Sequence, residues 1–207
     1  AWIAGLYAIA DSGYLAAGQF VPAVRAALDG GARVIQYRDK KNAPGQRAAI
    51  ARALNALCRE RGVPLLINDD VALAAAVGAA GVHLGRDDPD IDAARTALGS
   101  TALIGVSCYN ELARARAAQA AGADYVAFGR FFASRTKPQA VPATPELLRA
   151  ARAELKIPVV AIGGITPENG ATLIAAGADA LAAIEGVFGQ PDIRAAAERY
   201  ARLFKET

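Results

Sequence analysis

Four times along the chain the same phrase returns: small residues that end a helix, a glycine, then an apolar run suited to a strand. It reads Asp29-Gly30-Gly31-Ala32-Arg33-Val34-Ile35-Gln36-Tyr37, then Ala79-Ala80-Gly81-Val82-His83-Leu84. It recurs at Ala121-Gly122-Ala123-Asp124-Tyr125-Val126-Ala127-Phe128 and at Ala176-Gly177-Ala178-Asp179-Ala180-Leu181-Ala182-Ala183-Ile184. A glycine closing a helix takes positive φ without steric cost, so each copy predicts a helix C-terminus followed by entry into a sheet. The copies lie roughly 40 to 55 residues apart, the length of two strand–helix units. Further strands read at Leu6–Ala10, Leu65–Asn68, Ala102–Ser107 and Pro158–Ile162. Ala-rich segments such as Gln46–Arg61, with Ile50, Leu54 and Leu57 at helical spacing, fill the intervals. Eight alternating units imply a parallel sheet covered by helices, and at this length a closed (β/α)8 TIM barrel, α/β in class. An open doubly wound sheet is the second choice, but no Gly-x-Gly-x-x-Gly follows the first strand. No linker or low-complexity stretch divides residues 1–207, so one barrel domain is expected.

In such a barrel the residues just past each strand share one mouth, where ligands bind. Gln36, Arg38 and Lys40 alternate along the second strand and so share a face. Asn68, Asp69 and Asp70 follow the third strand, and Asp87-Asp88 the fourth. Hard carboxylate oxygens on neighbouring strands suit Mg²⁺, and through it a phosphorylated small molecule. Ser107 ends the fifth strand. After the sixth comes Gly129-Arg130-Phe131-Phe132-Ala133-Ser134-Arg135-Thr136-Lys137-Pro138, whose hydroxyl and cationic donors suit phosphoryl oxygens. Gly163-Gly164 after the seventh strand and Ile184-Glu185-Gly186 after the eighth stand where barrels often bind phosphate.

Composition removes other classes. A net charge of +3, from 23 Lys+Arg and 20 Asp+Glu, lacks interleaved aromatics, and many arginines fall on helical segments, so nucleic acid is not an expected partner. The longest uncharged apolar stretch, Val71–Leu84, is shorter than the roughly 20 residues a membrane span needs. Two cysteines, Cys58 and Cys108, have neither metal nor redox spacing, and no secretory leader is read; a cytoplasmic location is expected. Cys58 reads as a core residue. His83, the one histidine, lies inside a strand, where a packed or hydrogen-bonded role is the default. Core packing is likewise the default for Tyr37, Tyr125 and Phe128.

Taken in order, Gln36-x-Arg38-x-Lys40, Asn68-Asp69-Asp70, His83-Leu84-Gly85-x-Asp87-Asp88, Gly105-Val106-Ser107, Ala123-Asp124-Tyr125-Val126, Thr136-Lys137-Pro138 and Ala161-Ile162-Gly163-Gly164-Ile165 resemble the thiamine-phosphate synthase (thiamine-phosphate pyrophosphorylase) family. The likeness runs from about Gly5 to Phe188. Single pieces are common; the ordered set is specific. It implies a (β/α)8 barrel that joins a hydroxymethylpyrimidine diphosphate to a hydroxyethylthiazole phosphate, releasing pyrophosphate through a pyrimidine carbocation. Carried onto this sequence, Gln36, Arg38, Lys40 and Asn68 would hold the pyrimidine diphosphate, with Ser107 on the pyrimidine. Asp69 and Asp88 would hold Mg²⁺. Ser134, Arg135 and Thr136 would line the thiazole phosphate site with Gly163, Gly164 and the backbone at Ile184 and Glu185. Lys137 would bind diphosphate and, with Lys40, stabilise charge on the leaving group.

Two positions depart from the family's habit: Arg130 replaces a frequent Pro, and Glu185 a frequent Ser beside the thiazole phosphate. Asp70 and Asp87 are assigned to supporting or helix N-terminal roles. The alternatives are a thiazole tautomerase of the same superfamily, which needs neither metal nor diphosphate, and a non-catalytic phosphate-binding barrel. Assembly as a homodimer is left open.

Overall fold

The computed structural model describes residues 2–85, 90–133 and 142–205. Eight strands alternate with helices: β1 Gly5–Asp11, β2 Val34–Arg38, β3 Leu65–Asn68, β4 Gly81–Leu84, β5 Leu103–Tyr109, β6 Tyr125–Phe128, β7 Val159–Ile162 and β8 Ala180–Ala183. The helices are α1 Phe20–Asp29, α2 Pro44–Glu60, α3 Val71–Val77, α4 Ile91–Leu98, α5 Leu112–Ala120, α6 Pro145–Glu154, α7 Gly170–Ala176, α8 Glu185–Phe188 and α9 Ile193–Leu203. The strands pair in chain order and β1 closes on β8, every pairing parallel. The expected closed barrel is present, and the open sheet is excluded.

Closure divides the apolar residues into two sets. Leu6, Ala8, Ile35, Val82, Ile104, Val126 and Leu181 face outward and pack with Leu54, Leu148 and Leu173 of the helices. Tyr7, Ile9, Leu66, Tyr125, Ala127, Val160 and Ala182 fill the barrel interior. Strand alternation produces this directly: Tyr7 and Ile9 point in where Leu6 and Ala8 point out.

Three of the four recurring glycines do what the sequence suggests: Gly31, Gly122 and Gly177 have φ of 103°, 97° and 122°. In the second copy the role moves. Gly78, at φ 68°, closes α3, and Gly81 is already in β4. There a Cβ would lie 1.8 Å from the Leu103 carbonyl oxygen, so Gly81 serves close strand approach rather than helix termination. The aspartates in the third and fourth copies also match each other. Asp124 accepts the Ile104 amide and pairs with Arg95, while Asp179 accepts the Val159 amide and pairs with Arg152. Each carboxylate thus ties the start of one strand to the preceding strand and to a helix.

Strand β5 runs further than Ala102–Ser107. Ser107 is inside it, with a register shift against β6 between Ser107 and Tyr109. Asp70 is the N-cap of α3, its carboxylate accepting the Leu73 amide at 2.9 Å, as expected for a helix N-terminal role. Asp87 lies outside the described residues.

Gly105 has a spatial requirement too. A Cβ there would sit 1.9 Å from Cζ of Tyr125, a ring fixed by hydrogen bonds. Gly105→Ala is expected to lower stability by about 3 kcal/mol through overpacking, read as a lower urea midpoint; an unchanged midpoint would contradict this packing.

Candidate active site

The barrel mouth opens into a cavity of about 490 Å³ lined by Gln36, Arg38, Asn68, His83, Ser107, Gly163, Gly164, Ile184 and Glu185 among others. A second depression, about 200 Å³, adjoins it and holds Lys40, Arg47, Asp69 and Asp70, with Asn68 in the wall of both. The strand-end residues singled out in the sequence therefore converge on one end of the barrel. Asp88, Ser134, Arg135, Thr136 and Lys137 lie outside the described residues.

The bottom of the larger cavity is a continuous hydrogen-bonded chain. Asn68 Nδ2 donates to Gln36 Oε1 at 3.1 Å, and Gln36 Nε2 donates to the Tyr7 hydroxyl at 2.6 Å. The Tyr7 and Tyr125 hydroxyls meet at 2.7 Å. His83 Nδ1 lies 2.7 Å from the Tyr125 hydroxyl, and its Nε2 lies 2.7 Å from Ser107 Oγ. Burial pushes both phenols well above their ordinary titration range, so each carries its proton. The expected packed and hydrogen-bonded role for His83 is what the structure shows. Tyr125 is buried as expected, yet it packs inside the barrel, beneath the residues that line the cavity.

Charged groups occupy the rim. Arg38 donates to Asp11 at 2.7 Å, with the Asp11 side chain only 4% exposed. Lys40 Nζ donates to Asp69 at 2.8 Å with both side chains substantially open to solvent, and Arg47 donates to Asp70 at 2.8 Å. An exposed pair contributes at most about 1 kcal/mol, so Lys40 and Asp69 can exchange each other for a bound anion and its counter-cation at little cost. Arg38 is held more firmly. Asp69 has φ of 63°, a left-handed conformation that Asp tolerates better than most residues, and its amide donates to the His83 carbonyl at 2.9 Å. That turn directs the residue after β3 along the rim.

Asp39 organises the loop that carries Lys40. Its carboxylate accepts bonds from the Tyr37 hydroxyl, the Lys41 and Asn42 amides and Asn42 Nδ2. Burial alone would raise its pKa, but these four donors outweigh that and hold it at about 2. Across the mouth, Gly163 and Gly164 have φ of 107° and 63°. A Cβ on them would lie 2.4 Å from Arg130 Cβ and 2.5 Å from the Ala133 carbonyl oxygen respectively, so the loop after β6 rests directly on them. Helix α8 begins where β8 ends, and its first residue is Glu185, which lines the cavity. A Cβ on Gly189 would lie 2.9 Å from Glu185 Cγ, which places the stem of Glu185 along α8.

The sequence reading did not single out Asp11, Asp39, Tyr7 or Tyr109 for this site. Asp11 was legible, since it is a carboxylate at the end of a strand. Tyr109 lines the cavity with φ of 56°, and only the register shift in β5 explains its position. The thiols take no part: burial pushes Cys58 and Cys108 up to about 12.

Among the described residues no group of three or more His, Cys, Asp or Glu side chains could enclose a metal ion. Mg²⁺ does not require one, since it binds through one or two carboxylates completed by substrate phosphates and water. Asp69, beside Lys40 and Arg47, fits that description.

The fold and mouth define a class: a (β/α)8 barrel enzyme with a cavity above a hydrogen-bonded base, flanked by a rim of paired charges. A family profile described as thiamine monophosphate synthase matches residues 6–187. A thiamine-phosphate synthase of Nitrosococcus oceani is 55% identical over 202 residues, covering 98% of this chain and 93% of that protein. One from Marinobacter nauticus is 53% identical, covering 97% and 90%. Among solved structures, a thiamine phosphate pyrophosphorylase from Pyrococcus furiosus superposes with a TM-score of 0.88 at 36% identity, covering 98% of this chain and 96% of its own. The chain belongs to the thiamine monophosphate synthase family and is a transferase of thiamine biosynthesis. Among the described residues no helix is long and apolar enough to cross a membrane.

A carboxylate held at about 2 contributes stability that is complete above about pH 4 and disappears as pH falls toward 2. Asp39→Asn is expected to remove about 2 kcal/mol of the acid-side loss in that window, measured by urea titrations at a series of pH values. Parallel pH profiles for the two proteins would contradict the assignment.

Proposed function

We propose that this chain is a Mg²⁺-dependent thiamine-phosphate synthase. It would join 4-amino-2-methyl-5-hydroxymethylpyrimidine diphosphate to 4-methyl-5-(2-hydroxyethyl)thiazole phosphate, giving thiamine phosphate and pyrophosphate. The observation that carries the reading is the arrangement of the mouth. A hydrogen-bonding base between Asn68 and Ser107 fits a nitrogen-bearing ring, and Arg38, Lys40 and Asp69 stand beside it where a diphosphate would extend.

In this reading Gln36, Asn68 and Ser107 orient the pyrimidine, while Arg38 and Lys40 bind its diphosphate. Asp69 and Asp88 would hold Mg²⁺, which when bound neutralises charge on the diphosphate. Lys40 and Lys137 stabilise the charge that grows on the departing pyrophosphate, so departure precedes capture of the pyrimidine carbon by the thiazole nitrogen. Gly163, Gly164, Ile184 and Glu185, with Ser134, Arg135 and Thr136, take the thiazole phosphate. The N-terminus of short α8 supplies main-chain N–H groups there, as at other barrel phosphate sites. No protein nucleophile is needed, in keeping with two buried, proton-bearing thiols. Paired Lys40 and Asp69 favour the synthase over a tautomerase, which has no leaving group to stabilise.

Incubation of the protein with both substrates and Mg²⁺ is expected to give thiamine phosphate and pyrophosphate in equal amounts, with chelation stopping both. No product from folded protein would overturn the synthase reading, and undiminished product under chelation would overturn the metal. Asp69→Asn is expected to lose at least about a hundredfold in kcat/KM, in the range of a lost charge-stabilising group, while its thermal unfolding is unchanged. Activity near that of the parent would remove Asp69 from the metal site.

A further inference from the structure

The chain of hydrogen bonds beneath the cavity starts from two assigned donors, Asn68 Nδ2 and Gln36 Nε2, and they constrain where the protons beyond them can lie. Gln36 Nε2 donates to the Tyr7 hydroxyl oxygen, so the single Tyr7 proton is available for the Tyr125 oxygen 2.7 Å away. Tyr125 then has one proton of its own to give, and His83 Nδ1 is 2.7 Å from it. A neutral imidazole that accepts at Nδ1 carries its proton on Nε2, which faces Ser107 Oγ at 2.7 Å. In that tautomer Ser107 accepts from His83 and has its own proton to direct into the cavity.

The other end has the opposite character. Asn68 gives its Nδ2 to Gln36, and Asn68 Oδ1 is buried with no hydrogen-bond partner among the described residues. Leaving a buried acceptor unmatched is unfavourable, so its persistence at a cavity wall marks a place for an incoming donor. A run of single-proton links therefore presents a donor at Ser107 and an acceptor at Asn68. A ring nitrogen beside an exocyclic amino group is the chemical complement of that pair.

We propose that His83 is a positioning residue. The buried Tyr7–Tyr125 pair holds it as the Nε2–H tautomer, and through it makes Ser107 a hydrogen-bond donor to a ring nitrogen of the substrate. This rests on the synthase reading for the identity of the ring, but not for the tautomer. Three features of the fold support the relay. Tyr7 and Tyr125 are almost fully buried, His83 is 8% exposed, and the Tyr125 ring stacks on the His83 ring at 5.6 Å between centroids. Gly105 gives the Tyr125 ring the space it occupies.

The chain has a single histidine, so a tag-free protein labelled with ¹⁵N-histidine gives one pair of ring-nitrogen signals. The expected spectrum of the substrate-free protein shows a protonated Nε2 and an unprotonated Nδ1, told apart by their couplings to the ring carbons' protons. Protonation at Nδ1, or at both nitrogens, would overturn the proposal. Tyr125→Phe removes the donor to Nδ1 and is expected to give a mixture of tautomers. In steady-state assays it should raise KM for the pyrimidine substrate about tenfold, the cost of one hydrogen bond, with kcat and the thiazole KM little changed. A variant that moves neither the tautomer nor KM would also overturn it. Should Tyr125→Phe not fold, the spectrum of the parent protein decides alone. An Nε2–H spectrum in a protein that makes no thiamine phosphate would retain the relay and reject the synthase.

Discussion

The contact on which the site depends is the meeting of two phenols inside the barrel, Tyr7 and Tyr125 at 2.7 Å between hydroxyl oxygens. A closed parallel barrel must fill its interior with side chains. Here the aromatic rings do so below the mouth, with Ile9, Leu66 and Val160 around them. Burying two hydroxyls unsatisfied would cost several kcal/mol, so each must be matched. Matching them brings in Gln36 and His83, and through these Asn68 and Ser107. The packing solution for the core and the polar surface of the cavity are the same residues.

The rim follows different physics. Arg38, Lys40 and Arg47 are already paired with carboxylates, and exposure decides how firmly. The Arg38–Asp11 bond rests on a carboxylate that is nearly buried, whereas Lys40–Asp69 stands in solvent. Removing the partner of a buried charge is costly, and separating an exposed pair costs about 1 kcal/mol or less. Arg38 is thus a fixed feature of the mouth, and Lys40 and Asp69 are exchangeable. A ligand carrying its own phosphates and cation suits that division, because each member of the exposed pair finds a new partner of the right sign.

Most of the architecture was legible in the chain because a repeated glycine before a strand has a backbone cause. The count of eight strands followed from four copies of one phrase, and the site from collecting strand ends. Gly81 shows the limit: the same letter in the same phrase served close strand approach, with Gly78 closing the helix instead. Strand periodicity assigned Tyr125 to packing correctly, but could not tell inside from outside the barrel. Nor could it reveal that Tyr7 and Tyr125, 118 residues apart in sequence, share a hydrogen bond. Asp11 needed only the strand-end rule applied to β1. Tyr109 was beyond reach, since its place on the wall arises from a register shift against β6.

The central claim is that one end of the barrel seats a pyrimidine ring on the Asn68–Ser107 base with its phosphates on the Arg38–Lys40–Asp69 side. A crystal structure of the protein with the pyrimidine diphosphate and Mg²⁺ tests it most directly. The account predicts a ring nitrogen within hydrogen-bond distance of Ser107 Oγ, the exocyclic amino group within that distance of Asn68 Oδ1, phosphate oxygens on Arg38 and Lys40, and the Lys40–Asp69 pair separated. A ring seated instead against Gly163 and Gly164, with Lys40 still bonded to Asp69, would contradict it.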